Sequence, residues 1–248
     1  MKKAILLFAA ASFAAITACN RSGAEAAAEN TAADSTTCTG AIAVADCHIE
    51  FDGVNFTRSL NGGDSLVTVA DSTLTFRCGP GRDLFNDPDG KLSSHSVPAI
   101  MTGIDNTLPF TLSARVTPGF TPDGTYNAAE LLVLACDTLY QKLCFEQDER
   151  GRHRVVSVRT AGTSDDNNHD VVDSPDVYLK ISSDTHTIAS YYSLDGKEWQ
   201  MVRLYRNSYP ARILVGIASQ SPKKDGCTST FTDLCLRQDN VSDFRMGN

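Results

Sequence analysis

Lys142, Cys144 and Glu146 alternate with Leu143 and Phe145 in the run Lys142–Gln147. In a strand, successive side chains leave opposite faces, so the three polar residues share one face and the apolar pair shares the other. Leu143 and Phe145 must face a core. Lys142 and Glu146 then face outward, where an ammonium and a carboxylate can hydrogen-bond a polar ligand. The bland alternative is a cross-strand charge pattern on a solvated sheet. The continuation Glu146-Gln147-Asp148-Glu149-Arg150 is rich in carboxylates. A retaining glycosidase needs two carboxyls about 5–5.5 Å apart. The position two beyond Asp148 is Arg150, however, and Asp148 falls near a turn, so no single strand supplies such a pair.

Asp165-Asp166-Asn167-Asn168-His169-Asp170 reads as an oxygen-rich loop. Calcium takes six to eight such ligands, but the run lacks EF-hand spacing, and no metal or other cofactor is assigned. The histidines His48, His95, His153, His169 and His186 are scattered. There is no G-x-S-x-G nucleophile elbow and no glycine-rich phosphate loop. Tyr126, Tyr140, Tyr191, Tyr205 and Tyr209 are candidates for a sugar-stacking platform. The single tryptophan, Trp199, is taken by a hairpin.

The elements that must position these groups are short strands punctuated by Gly, Asp and Pro. They are expected at Ser65–Ala70, Thr73–Cys78, Pro109–Val116, Ala129–Cys136, Lys142–Gln147 and His153–Thr160. Further strands are expected at Val177–Ser183, Thr187–Ser193, Gln200–Tyr205, Arg212–Ser219 and Thr228–Leu236. No helical period is sustained, which excludes βαβ units and predicts an all-β antiparallel two-sheet sandwich. Asp195-Gly196, between apolar runs, is a hairpin signal because the tight turn needs positive φ. Asp87-Pro88-Asp89-Gly90 reads as a turn.

Residues 1–18 have the anatomy of a secretory leader. Lys2 and Lys3 are followed by an apolar run, Ala4–Ala15, too short to span a bilayer. The run ends in Ile16-Thr17-Ala18-Cys19, which resembles a lipobox, so Cys19 is the expected lipidation site and new N-terminus. Residues 19–45, rich in Ala, Ser, Thr and Glu, read as a flexible tether. Residues 46–248 form one domain. The expected address is the cell envelope, with membrane attachment through the lipid. Asn20 lacks the aspartate that often retains lipoproteins at an inner membrane, which favours an outer membrane facing the periplasm or the cell surface.

The chain has 22 basic and 30 acidic residues; losing Lys2 and Lys3 with the leader leaves 20 against 30, a net charge of −10. That excess of acid argues against nucleic acid as a partner, since its phosphates need basic groups. Of eight cysteines, one is lipidated, so an odd number remains for pairing. Cys136 and Cys144 flank a short turn between two expected strands and are the expected disulfide. Cys227 and Cys235 lie within one strand and are too far apart to bond. The spacings are not those of a zinc site.

From about Thr73 to Leu236 the chain resembles a family of concanavalin A-like jelly rolls, some of whose members carry the label "regulation of enolase". Arg82-Asp83-Leu84-Phe85 sits at a T-D-F-W-like stretch, and Tyr126–Val133 resembles Y-D-Q-A-G-L-M-V. Tyr140–Glu146 is similar to W-I-K-A-G-I-E, and Val158-Arg159-Thr160 with Ser164-Asp165 is similar to V-V-T and S-D-W. The segments Ser193–Trp199, Val215–Pro222 and Thr230–Asp233 match well. Ala128 replaces the family's glutamine, Glu130 its glycine, and Phe85 and Asp166 two of its tryptophans. The resemblance implies a groove-bearing sheet with Lys142, Glu146, Tyr140, Thr160 and Tyr191 as ligand contacts. It suggests a non-catalytic, lectin-like module for a glycan. A carbohydrate-active hydrolase or lyase with an unusual carboxylate pair is the first alternative, and a structural envelope protein with no small-molecule ligand the second.

Overall fold

A computed structural model describes Cys38 and residues 42–248; Cys19, the leader and most of the tether lie outside the described residues. The strands are β1 (Val44–Phe51), β2 (Val54–Leu60), β3 (Val67–Ala70), β4 (Thr73–Cys78), β5 (Leu84–Asn86) and β6 (Ser93–His95). They continue with β7 (Ala99–Asp105), β8 (Phe110–Thr117), β9 (Ala128–Cys136), β10 (Leu139–Gln147), β11 (His153–Ala161) and β12 (Thr163–Val171). The last are β13 (Val177–Ser183), β14 (Thr187–Ser193), β15 (Gln200–Arg206), β16 (Arg212–Gln220) and β17 (Cys227–Arg237).

Two antiparallel sheets form a sandwich. The larger, eight-stranded sheet runs β1-β2-β7-β16-β9-β10-β11-β12, and the seven-stranded one runs β15-β14-β13-β8-β17-β4-β3. The alternation read from the sequence builds the core between them. Leu131, Val133, Leu143, Phe145, Val215 and Ile217 from the first sheet pack against Leu112, Val116, Leu179, Ile181 and Phe231 from the second. At one seam, Arg203 of β15 donates through Nε to Ser157 Oγ of β11 at 2.9 Å and pairs with Asp165 of β12 at 3.0 Å.

The outer face of the larger sheet is also partly buried. The β5–β6 hairpin lies over it, and Leu84 and Val97 from this segment join Met101, Leu132, Leu134, Tyr140 and Ala218 in a second apolar cluster. Asn86 fastens the hairpin: its Nδ2 donates to Asp137 O at 3.0 Å and Gly162 O at 3.1 Å, and its own N–H donates to Ser164 Oγ at 2.9 Å. The sheet below tolerates no bulk at Gly216, where an added Cβ would clash with Ile100 O.

Several expectations need correction. Thr163–Val171 is an edge strand paired with β11, not a loop, so its oxygen ligands alternate between faces and do not converge on an ion. Cys136 is bonded to Cys38, and Cys144 is a buried free thiol. The reason is register: Cys144 stands opposite Glu130, whereas Cys136 stands opposite Leu139 at the far end of the pair. The first strand begins at Val44, and Ile42 and Val44 already pack against the second apolar cluster, ahead of residue 46.

Candidate functional site

The outer face of β10 carries Tyr140, Lys142, Cys144 and Glu146, while Leu143 and Phe145 enter the core as the alternation requires. Beside it, β9 contributes Ala128 and Glu130, β16 ends in Gln220, β11 presents Val156 and Val158, and β12 presents Asp166. The hairpin covers one end of this face. The other end stays open as a cleft of about 460 Å³, walled by Asp83, Phe85, Tyr126, Val156, Val158 and Pro222.

A row of hydrogen bonds crosses the cleft floor. Lys142 Nζ, only 2% exposed, donates to Gln220 Oε1 at 2.7 Å and pairs with Asp83 Oδ1 at 3.3 Å. Gln220 Nε2 donates in turn to Glu146 Oε2 at 3.0 Å and to Tyr126 O at 2.9 Å. Asp83 is oriented from its own strand start, where Leu84 N–H donates to Oδ1 at 2.7 Å. Tyr126, at the rim, holds φ of 67°, a conformation that is uncommon for a bulky side chain and marks a locally constrained turn.

The electrostatics favour a protonated acid here. Burial pushes the Glu146 carboxyl well above the ordinary range; Lys142 opposes this, and Asp166, Glu130 and Asp83 reinforce it. Asp166, on the open side, is also raised by partial loss of water. Burial raises Glu130 to about 7, with Lys142 again opposing. Both Glu130 carboxyl oxygens lack a hydrogen-bond partner. Burial disfavours the Lys142 charge, but the neighbouring carboxyls, Asp83 first, outweigh it and hold the ammonium well above its usual range.

The expected ligand set divides. Lys142 and Glu146 line the cleft. Tyr140 and Thr160 do not: both are fully buried, and their hydroxyls meet Ser164 Oγ at 3.4 and 2.8 Å. Tyr191 lies in the other sheet, where its hydroxyl donates to Phe244 O at 2.8 Å and its ring packs with Val241 and Trp199. The cleft also uses Asp83, Gln220 and Asp166, which strand alternation alone does not mark as contacts; all three lie in or beside the segments that carry the family resemblance. Asp148 is not among the residues that line the cleft. Burial pushes it up, but backbone and side-chain hydrogen bonds from Arg152, Arg150 and Arg154 hold it well below the ordinary range. Among the described residues, no group of three or more His, Cys, Asp or Glu side chains is placed to hold a metal.

Sandwich and cleft together define an antiparallel two-sheet β-sandwich with a polar cleft on the outer face of its larger sheet. The fold is similar to that of a functionally unknown protein from Saccharomyces cerevisiae, with TM-score 0.66 and 23% identity over 74% of this chain and 96% of that one. It is also similar to part of the GH43 protein BlXynB from Bacillus licheniformis, with TM-score 0.56 and 17% identity over 75% of this chain and 36% of that one. A xylan β-1,4-xylosidase from Bacillus halodurans C-125 gives TM-score 0.53 and 17% identity over 77% of this chain and 38% of that one. The chain spans little more than a third of these two proteins, and the likenesses establish the fold alone. No curated protein matches the chain. The chain belongs to the family described as protein of unknown function (DUF1349), which matches residues 60–239.

Proposed function

We propose that the cleft binds a carbohydrate and that the protein is a non-catalytic binding module, anchored in the cell envelope through lipid on Cys19. The observation that carries the ligand class is the row Asp83, Lys142, Gln220 and Glu146 beside the apolar wall of Phe85, Val156 and Val158. A sugar ring has a hydroxyl edge that needs donors and acceptors, and C–H faces that need an apolar surface; a cleft with both suits it. Lys142 commits ammonium donors to Asp83 and Gln220, which leaves one of its three N–H groups for a ligand. The cleft volume of about 460 Å³ lies within the range of small-ligand sites. The sandwich shared with xylan-active enzymes makes neutral xylo-oligosaccharides the first probes.

The test is a glycan array probed with the protein and with its Lys142→Ala and Glu146→Ala variants. Specific binding lost in either variant supports the reading. Silence of the folded protein overturns it and favours a structural role. Radiolabelled fatty acid incorporated by the parent and not by Cys19→Ala tests the anchor.

A second reading, a hydrolase or lyase, draws on the raised carboxyls of Glu146 and Asp166 in one cleft, since an acid catalyst must hold its proton near neutral pH. Release of reducing ends from an array ligand, abolished by Glu146→Gln, would select it.

A further inference from the structure

We propose that Cys78 and Cys227 form a second disulfide under the oxidising conditions that join Cys38 to Cys136. The two residues stand directly opposite each other in the antiparallel β4–β17 pair. Directly opposed residues have Cα atoms about 4.5 or 5.5 Å apart, within the ~4.4–6.8 Å that a disulfide spans. Both side chains take the core-facing side: Cys78 follows Leu74 and Phe76 at alternate positions, and Cys227 precedes Phe231 in the same way. Each is nearly buried, at 4% and 3% exposure. Both are free thiols in this structure with weak partners: Gly79 O at 3.3 Å for Cys78, and Ser229 Oγ at 3.4 Å with Gly119 O and Ala128 O at 4.0 Å for Cys227.

The position gives the bond a purpose. Cys78 ends the strand that feeds the segment bearing Asp83 and Phe85, and Cys227 begins the strand that follows Gln220 and Pro222. Two cleft walls therefore grow from the two cysteines. Arg82 and Ser221, a few residues further out, already exchange backbone hydrogen bonds at 3.0 Å in each direction. A disulfide at the root fixes the spacing of the walls.

The bond forms during folding, while both thiols are accessible. The Cys78 thiolate attacks the disulfide of an oxidant such as oxidised glutathione, and one glutathione thiolate leaves. The Cys227 thiolate then attacks the Cys78 sulfur of the mixed disulfide and displaces the second. The two cysteine protons end on the two leaving thiolates, and the two electrons reduce the oxidant.

The experiment refolds the full chain in a glutathione redox buffer, blocks free thiols under denaturing conditions without reductant, and maps peptides by mass spectrometry. The expected result is a cross-linked peptide pair joining Cys78 to Cys227 in most chains, with Cys144 blocked. In Cys227→Ser, that pair is lost and Cys78 is blocked. Recovery of both cysteines blocked in the parent chain, or of Cys78 joined to any other cysteine, overturns the proposal.

Discussion

Replacing Glu130 by glutamine should make the protein more stable at alkaline pH and leave its stability nearly unchanged in acid. Glu130 is fully buried, neither carboxyl oxygen has a hydrogen-bond partner, and its cross-strand neighbours are Cys144 and Ala218. Burial raises its carboxyl from 4.5 to about 7. Below about pH 4.5 the group is protonated in both native and unfolded chains and contributes no pH dependence. Between pH 4.5 and 7 the unfolded chain gives up its proton while the native chain keeps it, so native stability falls as pH rises. Above about pH 7 both forms are ionised and the loss is constant. The interval from 4.5 to about 7, at about 1.4 kcal/mol per pH unit, corresponds to about 3 kcal/mol. Urea denaturation of parent and Glu130→Gln from pH 4 to pH 8 measures it. The offset at pH 4 reports the exchange of a buried acid for a buried amide; the change in that offset reports ionisation. A gap that widens by about 3 kcal/mol in favour of the variant is expected. A gap that stays flat, or one favouring the parent at pH 8, would refute the reasoning by showing that Glu130 is a stabilised carboxylate paired with Lys142.

Other perturbations test the framework around the cleft. Asp148→Asn removes the buried acceptor of Arg152 and Arg154 and should cost about 2–4 kcal/mol at pH 7 by urea denaturation. Because the native Asp148 carboxyl is depressed, its contribution is present above its unfolded value of 3.8 and lost as pH falls below that, so the parent–variant gap should shrink in acid. Gly216→Ala drives a Cβ into the Ile100 carbonyl and against Met101 Cα; the expected result is a loss of about 3 kcal/mol or more, and an unchanged Tm would contradict the strand spacing. Asn86→Ala releases the hairpin from Asp137 and Gly162 and removes its internal bond from Ser93, so amide exchange across residues 83–97 should accelerate while exchange in β13 and β14 stays unchanged.

The sandwich was legible because strands such as Thr73–Cys78 and Val177–Ser183 alternate buried and less buried residues. Thr73–Cys78, Val177–Ser183 and Thr187–Ser193 have the expected bounds, and Leu143 and Phe145 face the core as their spacing requires. The missed elements have identifiable causes. Thr163–Val171 has almost no strand-forming residues; it extends because Ser157 to Ala161 offer it a ladder and Gly162, at φ 80°, turns the chain. β1 and β2 do carry a readable signal: Phe51-Asp52-Gly53-Val54 is an Asp-Gly hairpin with φ of 50° and 78° at its centre. The cleft was half legible. Alternation gives the shared face of Lys142 and Glu146, but Asp83 and Gln220 reach them across 59 and 78 residues of sequence. Tyr191 was misplaced for a related reason: alternation fixes a face within a strand and carries no information about which sheet the strand joins. The disulfide failed likewise, since the partner of Cys136 is 98 residues away.

Binding of a neutral carbohydrate in the cleft over β10 is the proposal on which the functional reading depends. Backbone amide NMR of the protein titrated with neutral oligosaccharides to millimolar concentration tests it most directly. Shift changes are expected to gather at residues 81–85, 126, 142–149, 156–168 and 220–223, the segments that line the cleft. Changes absent at saturating sugar, or gathered on the seven-stranded sheet around Tyr191 and Trp199, would contradict it.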